Sequence, residues 1–531
     1  MIRSKHLSAA FAAAALLVVC APQLSTAKTK PTPGPTASPG ATASPSPSPS
    51  PTATPEPLDV QVPRLEAKLK TDPDDKPTMV QLAQDYYSIN RPDLALGLTQ
   101  KLLTGGTKTA QVYYVDGIAN AALGHEREAI SDLENASNLE PTNAAVLGTL
   151  TTLYLRANRP SDAERVAKRA ITFNKDDENS LVTYGQVLAT EQKFDDARTQ
   201  FEAAAKLAPT DPHPVVLEAQ TYASQNAIAL AAQVYDRAVA IDPKSAEALA
   251  GKAQIAGVQH DVPVAIATFN KLLVLATTDE EKAAVSDQMA RLYAVEKMNS
   301  QADSTYRDTI ATYPKVPAAH LNYGDYLAFT KDTAGAVREW TAAAGPNRDN
   351  GDALSRLGDY YKQTNDLPRA LDNYKRLTEV AGTDPRSWLL LAGSYAQSRQ
   401  YDKARDAFRH SYALGRSAEA LVGLAQSDFA TKNYKETILI FAALDHNAPN
   451  FTKQNPQVLY VLGQSYQKTG DKKNARDAYT RFLSYTKPGS QANAQIKQLI
   501  AQMDDTKPDA KASPTPKPKP SPTATKAPAK P

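Results

Sequence analysis

The chain has 531 residues, with 60 Lys and Arg against 57 Asp and Glu, for a formal net charge of +3. That balance excludes the strongly basic class of nucleic-acid binders. A single cysteine excludes a disulfide framework and any cysteine-rich zinc site.

Residues 1–27 read as an export signal. Arg3 and Lys5 open it, an apolar run from Leu7 to Val19 follows, and Ser25-Thr26-Ala27 supplies small residues for cleavage. The run is too short to span a bilayer comfortably, so the mature chain is expected to begin near Lys28 without a transmembrane segment. Leu17-Val18-Val19-Cys20 carries a rival reading. It resembles a bacterial lipoprotein cleavage box, which would place a lipid on Cys20, although Val19 departs from the usual small residue. Residues 28–57 contain ten prolines among Thr, Ser, Ala and Gly and predict a disordered, polyproline-like tether. Residues 58–76 predict an N-terminal helical cap and linker, with Val60 to Lys70 covering the first open face.

A repeat then dominates. Small residues stand at Ala83, Gly117, Thr151, Gly185, Ala219 and Ala253, then at Ala290, Gly324, Gly358, Ala392, Ala425 and Gly463; most steps are 34 residues. Twelve residues after each comes alanine, as at Ala163, Ala197 and Ala370, with Thr437 the one exception. Four residues further on, nine of twelve units carry an aromatic: Phe201, Tyr235, Phe269, Tyr306, Trp340, Tyr374, Phe408, Phe441 and Tyr479. Tyrosine follows the small position by three residues in seven units, as at Tyr86, Tyr154 and Tyr395. Leu181, Tyr184, Gly185 and Leu188 share one helical face, and Phe194, Ala197, Phe201 and Ala204 share another, with Gln192-Lys193 marking a turn between them. Each unit is therefore a pair of helices that cannot bury its apolar faces without neighbours.

This pattern resembles the tetratricopeptide repeat (TPR), in an exported bacterial type. The resemblance covers 77–487 in about twelve repeats. It implies an all-α fold: an α-solenoid of helix-turn-helix units in a right-handed superhelix, flanked by disordered Pro-rich tails. Steps of 37 and 38 residues place extra residues near Thr277–Lys282 and Asn450–Pro456, where curvature is expected to change. Residues 488–505 predict a C-terminal capping helix. Residues 506–531 predict a disordered tail, rich in Pro and carrying six lysines against Asp509.

Chemistry-bearing motifs are absent. The seven histidines form no HExxH pair, and no phosphate loop or nucleophile elbow occurs. No metal site and no cofactor is predicted, and the chain reads as a non-enzyme. His320, Trp340 and Trp388 read as core residues. The resemblance implies that first helices line a concave groove and that the residue after the small position faces it. Those residues are Gln84, Gln186, Gln220, Gln254, Arg291, Asp325, Asp359, Gln426 and Gln464. An amide ladder can donate to and accept from an extended backbone. The clamp of Lys and Asn used by chaperone-tail-binding relatives is not supported, because none of these positions is Asn. The expected function is a scaffold for protein–protein interactions in an extracytoplasmic, periplasmic or extracellular, envelope assembly. The alternative is a glycan or peptidoglycan binder using the groove and basic tail. The Lys-rich tail suits weak contact with anionic wall polymer or a membrane surface. No nucleic-acid partner is expected.

Overall fold

The computed structural model describes residues 56–504, apart from 348, 487, 488 and 490. The expectations for the signal, Cys20, the tether up to residue 55 and the tail lie outside the described residues. Among the described residues every regular element is a helix, and none is long and apolar enough to cross a membrane. The chain divides into two compact units, 1–313 and 314–531.

The first unit opens with helix Leu58–Thr71 and continues with seven helix pairs, from Lys76–Ser88 with Pro92–Thr104 to Asp279–Val295 with Asn299–Thr312. The second holds five pairs, from Pro317–Phe329 with Thr333–Ala344 to Gln457–Lys468 with Lys472–Tyr485, and closes with Gln491–Asp504. Twelve pairs thus answer the twelve sequence units, as a solenoid requires. Buried clusters run across pair boundaries. One extends from Ala129 to Val187, another from Leu354 to Leu424, so no pair has a private core.

The local causes repeat from unit to unit. Nine of the twelve first helices start at a residue whose side chain caps a backbone N–H: Asp75, Thr109, Asn143, Asp177, Ser245, Thr278, Asn350, Asp384 and Ser417. Two residues past the end of every first helix, seven positions after the small residue, stands a left-handed residue. These are Asn90, Gly124, Asn158, Gln192, Asn226, His260, Lys297, Lys331, Asn365, Arg399, Lys432 and Gly470, with φ from 54° to 86°. The Lys193 N–H then reaches back to the Leu188 carbonyl at 2.8 Å, and the other turns repeat that bond. Only two of the twelve are glycine, although a left-handed backbone costs a side-chain-bearing residue roughly 1–2 kcal/mol. Lys331→Gly or Lys432→Gly, both at exposed positions, should therefore each stabilise the chain by about 0.5–1 kcal/mol, read as a raised urea midpoint. A lowered midpoint would show that the side chain, not the backbone, governs the turn.

Between the helices of a pair, the small residue meets the aromatic directly. A Cβ on Gly185 would lie 2.5 Å from the Phe201 ring, one on Gly324 2.5 Å from Trp340, one on Gly358 2.5 Å from Tyr374, and one on Gly463 2.6 Å from Tyr479. Where the small position grows to Thr151, its partner shrinks to Ala167, and both are fully buried. Volume is conserved across the crossing. Thr437, which replaces the usual alanine, is also fully buried, and its hydroxyl lies 3.2 Å from the Ala425 carbonyl. The tyrosines after the small position reach back into the preceding helix layer. Tyr154 donates to Glu134 at 2.5 Å and Tyr86 to Glu66 at 2.8 Å.

Both irregular junctions become helix. The residues near Thr277–Lys282 lengthen a first helix to 17 residues, Asp279–Val295, started by a capping box of Thr278 and Glu281. Those near Asn450–Pro456 form the short helix Pro449–Gln454.

Candidate functional site

The first helices of neighbouring pairs touch one another directly at several steps in each unit. Gln186, Gln220 and Gln254 occupy the same position on three consecutive first helices, Glu178–Thr190, His213–Ser224 and Ala246–Val258, which contact in series. All three side chains are half-buried, and none makes a hydrogen bond to another described residue. One turn before them stand Val182, Val216 and Ala250, and three residues after them Ala189, Ala223 and Gly257. Thr183, Thr190 and Ser224 stand one turn away on the same helices, so the row combines amides, hydroxyls and small apolar side chains. At its starting edge the His213 ring meets Glu247 at 2.9 Å, and this bond raises the histidine pKa.

The other groove positions differ. Gln84 is half-buried and Gln426 exposed. The Gln464 amide donates to the Tyr460 hydroxyl at 2.9 Å. Arg291 bonds Asp287 at 2.8 Å. Asp325 accepts from Trp340 Nε1 and Arg356 Nε, both at 3.0 Å, and Asp359 accepts from the Tyr374 hydroxyl at 2.5 Å. The carboxylates in the middle of the series therefore brace neighbouring helices, whereas the three glutamines face outward with their hydrogen-bonding capacity unspent.

A second polar cluster lies in the first unit. Asp116, 4% exposed, accepts from Thr99 and from the Asn120 amide at 3.1 Å; the same amide lies 3.1 Å from Asp132. Asn120 Oδ1 meets the His125 ring at 3.2 Å. Burial, then the hydrogen bond to Asp116, pushes the Asp132 pKa up to about 7. The cluster lines an open cleft of about 570 Å³ with Gln100, Arg127 and Glu128. The sequence held a signal for it: Asp116 stands just before Gly117, where Leu150, Leu357 and Leu391 stand in other units. Among the described residues no group of His, Cys, Asp or Glu is arranged to hold a metal ion. The three residues read as core are placed by ordinary bonds. His320 bridges Glu339 and the Pro314 carbonyl, Trp340 is buried, and Trp388 donates to the Gly382 carbonyl.

Tetratricopeptide-repeat family models match residues 121–180, 216–280, 355–419 and 457–485. The chain is a tetratricopeptide repeat protein. Matches of that kind fall in both units. Among solved structures, MamA is similar to this TPR chain at 22% identity over 29% of it and 89% of MamA, with a TM-score of 0.27. YrrB, described as a TPR protein with an unusual peptide-binding site, is 24% identical over 35% of this chain and 97% of its own, with a TM-score of 0.30. No curated protein matches the chain.

Proposed function

We propose that this TPR protein is a non-enzymatic scaffold that holds protein partners by laying an extended segment of each along the first helices. The observation that carries this reading is the row of Gln186, Gln220 and Gln254. Three half-buried amides repeat at one position on touching helices and have no partner within the described chain. A primary amide both donates and accepts, so it complements a peptide backbone whatever the side chains. A preformed row costs little ordering entropy on binding. The setting proposed is outside the cytoplasm, in an envelope assembly; residues 1–27 support it, with Cys20 as the point of anchorage if it is lipidated.

The test is a crosslinked capture from envelope extract with the full chain and with the triple variant Gln186→Ala, Gln220→Ala, Gln254→Ala. Alanine is a good helix former on a solvated face. The variant should keep its urea midpoint and lose at least 10-fold in partner affinity, about 1.4 kcal/mol. Equal affinity for the two chains rejects the groove reading. Capture of wall polymer in place of protein moves the function to glycan binding.

A further inference from the structure

The glutamine row is bordered by charge on one side. Seven residues make nearly two helical turns, so the residue seven before each glutamine shares its face. Those residues are Asn179, His213 and Glu247, at the starting ends of the same three helices. Asn179 and Glu247 are exposed and His213 is half-buried; Glu178 and Asp211, both half-buried, stand beside them. The starting turns of the three helices, residues 174–178, 208–213 and 242–247, carry six carboxylates against Lys175 and Lys244. Their net charge is −4, or −3 with His213 protonated. The ending turns, residues 190–193, 224–227 and 258–261, carry a net of −1. The docking face therefore has one acidic side and one nearly neutral side.

Part of that charge has a local cause. Asp177 caps its own helix by accepting from the Ser180 N–H at 2.8 Å, and the helix dipole favours acids in a first turn. That accounts for each acid taken singly. It does not account for Glu178 and Asp211, which stand against each other across two helices. Burial, then the Asp211 charge, raises the Glu178 pKa, and His213 offsets a part of this. The His213 ring is itself bonded to Glu247 at 2.9 Å. Among the described residues no Lys or Arg makes an ion pair with Glu178, Asp211 or Glu247. Acids nearby in the same unit are paired: Asp162 with Arg159 and Arg165, and Glu164 with Lys168 and Lys193. Like charges held together without a counter-ion weaken a fold, and a bound cation relieves them.

Resting on the groove proposed above, we infer that the partner segment laid along Gln186, Gln220 and Gln254 is basic, with Lys or Arg side chains reaching over the starting edge to Glu178, Asp211 and Glu247. Along the helix axis the edge lies about 10.5 Å from the glutamines, at 1.5 Å per residue. A long Lys or Arg stem crosses that gap while the peptide backbone stays on the amides; a short side chain does not reach, and an acidic one is repelled. The amides thus fix where the backbone lies, and the carboxylates select which segments are held there.

The experiment is fluorescence anisotropy of the full chain with three labelled twelve-residue peptides, acetylated and amidated so that their ends carry no charge. They are four repeats of Ser-Lys-Ala, of Ser-Gln-Ala and of Ser-Glu-Ala. At low salt the lysine peptide should bind at least fivefold tighter than the glutamine peptide, with the glutamate peptide weakest, and the lead should shrink at high salt. Glu178→Gln, Asp211→Asn and Glu247→Gln together should remove the lead and leave the glutamine peptide's affinity within twofold. Asparagine in place of Asp211 still accepts from the His213 N–H, as Asp211 does at 2.8 Å. Equal affinity for the lysine and glutamine peptides overturns the inference, as does no binding of the lysine peptide or a lead that survives the acid-to-amide variant. If the triple glutamine-to-alanine variant weakens both peptides although neither is preferred, the charge selection falls and the groove reading stands. If that variant weakens neither, both fall.

Discussion

Replacing Tyr374 with alanine should remove about 3–5 kcal/mol of stability, the range for emptying a large aromatic site in a packed core. Tyr374 is fully buried in the cluster that contains Leu354, Leu377 and Leu391. Its ring lies against Gly358, and its hydroxyl donates to Asp359 at 2.5 Å. Tyr374→Phe keeps the ring and loses only that bond, so it should cost about 1 kcal/mol. Gly358→Ala drives a Cβ to 2.5 Å from the ring, which is itself fully buried. Overpacking of this kind costs about 1–3 kcal/mol. The double variant should cost less than the two single costs added, because the new methyl enters the space the ring has left. Urea unfolding followed by circular dichroism gives the free energies. Because repeats unfold with partial independence, hydrogen exchange should localise the loss to residues 351–397 and leave the first unit protected. A cost below 1 kcal/mol for Tyr374→Ala would show that the pairing of small residue and aromatic is not what holds these helices together.

That pairing was legible in the sequence because it depends on size alone. Glycine against Phe, Tyr or Trp, and Thr151 against Ala167, can be read from spacing once the 34-residue register is known. The left-handed turn residues were legible at half of the turns: Asn90, Gly124, Asn158, Asn226, Asn365 and Gly470 carry the preference, whereas at Gln192, His260, Lys297, Lys331, Arg399 and Lys432 the chain reversal imposes the conformation. The two irregular junctions were placed correctly as insertions, but their helical form depended on a capping box at one and on Pro449 at a helix start at the other. In the groove, the sequence placed nine residues in one class. It could not separate Gln186, Gln220 and Gln254 from Asp325 and Asp359, because that difference lies in the tertiary partners Trp340, Arg356 and Tyr374. The Asp116 cluster was passed over for a related reason. A carboxylate in an apolar register looks like noise until Thr99, Asn120 and Asp132 are seen around it.

The same cluster sets an expected pH response. Asp132 holds its proton up to about pH 7 in the folded chain, whereas an unfolded aspartate releases it near pH 4. Between those values the folded state binds more protons than the unfolded one, so stability falls as pH rises through the window and is flat above it. Other groups lean the same way. His213 is raised by its bond to Glu247, and burial raises Asp85, Glu218 and Asp428. Carboxylates held low by their partners, such as Asp75 at about 2, act in the opposite sense and at lower pH. The contribution of Asp132 is isolated by Asp132→Asn. Asparagine copies the protonated acid: it accepts from Asn120 and donates to Asp116, and it cannot ionise. At pH 8 the variant should be more stable than the parent by about 1–2 kcal/mol. That is less than the roughly 4 kcal/mol implied by the whole difference between about 7 and the ordinary carboxylate value near 4, because Asp132 is only half-buried and water screens its charge. At pH 4 the two chains should melt together. A variant weaker than the parent at both pH values would mean that Asp132 is ionised in the folded chain and that Asn120 alone stabilises it.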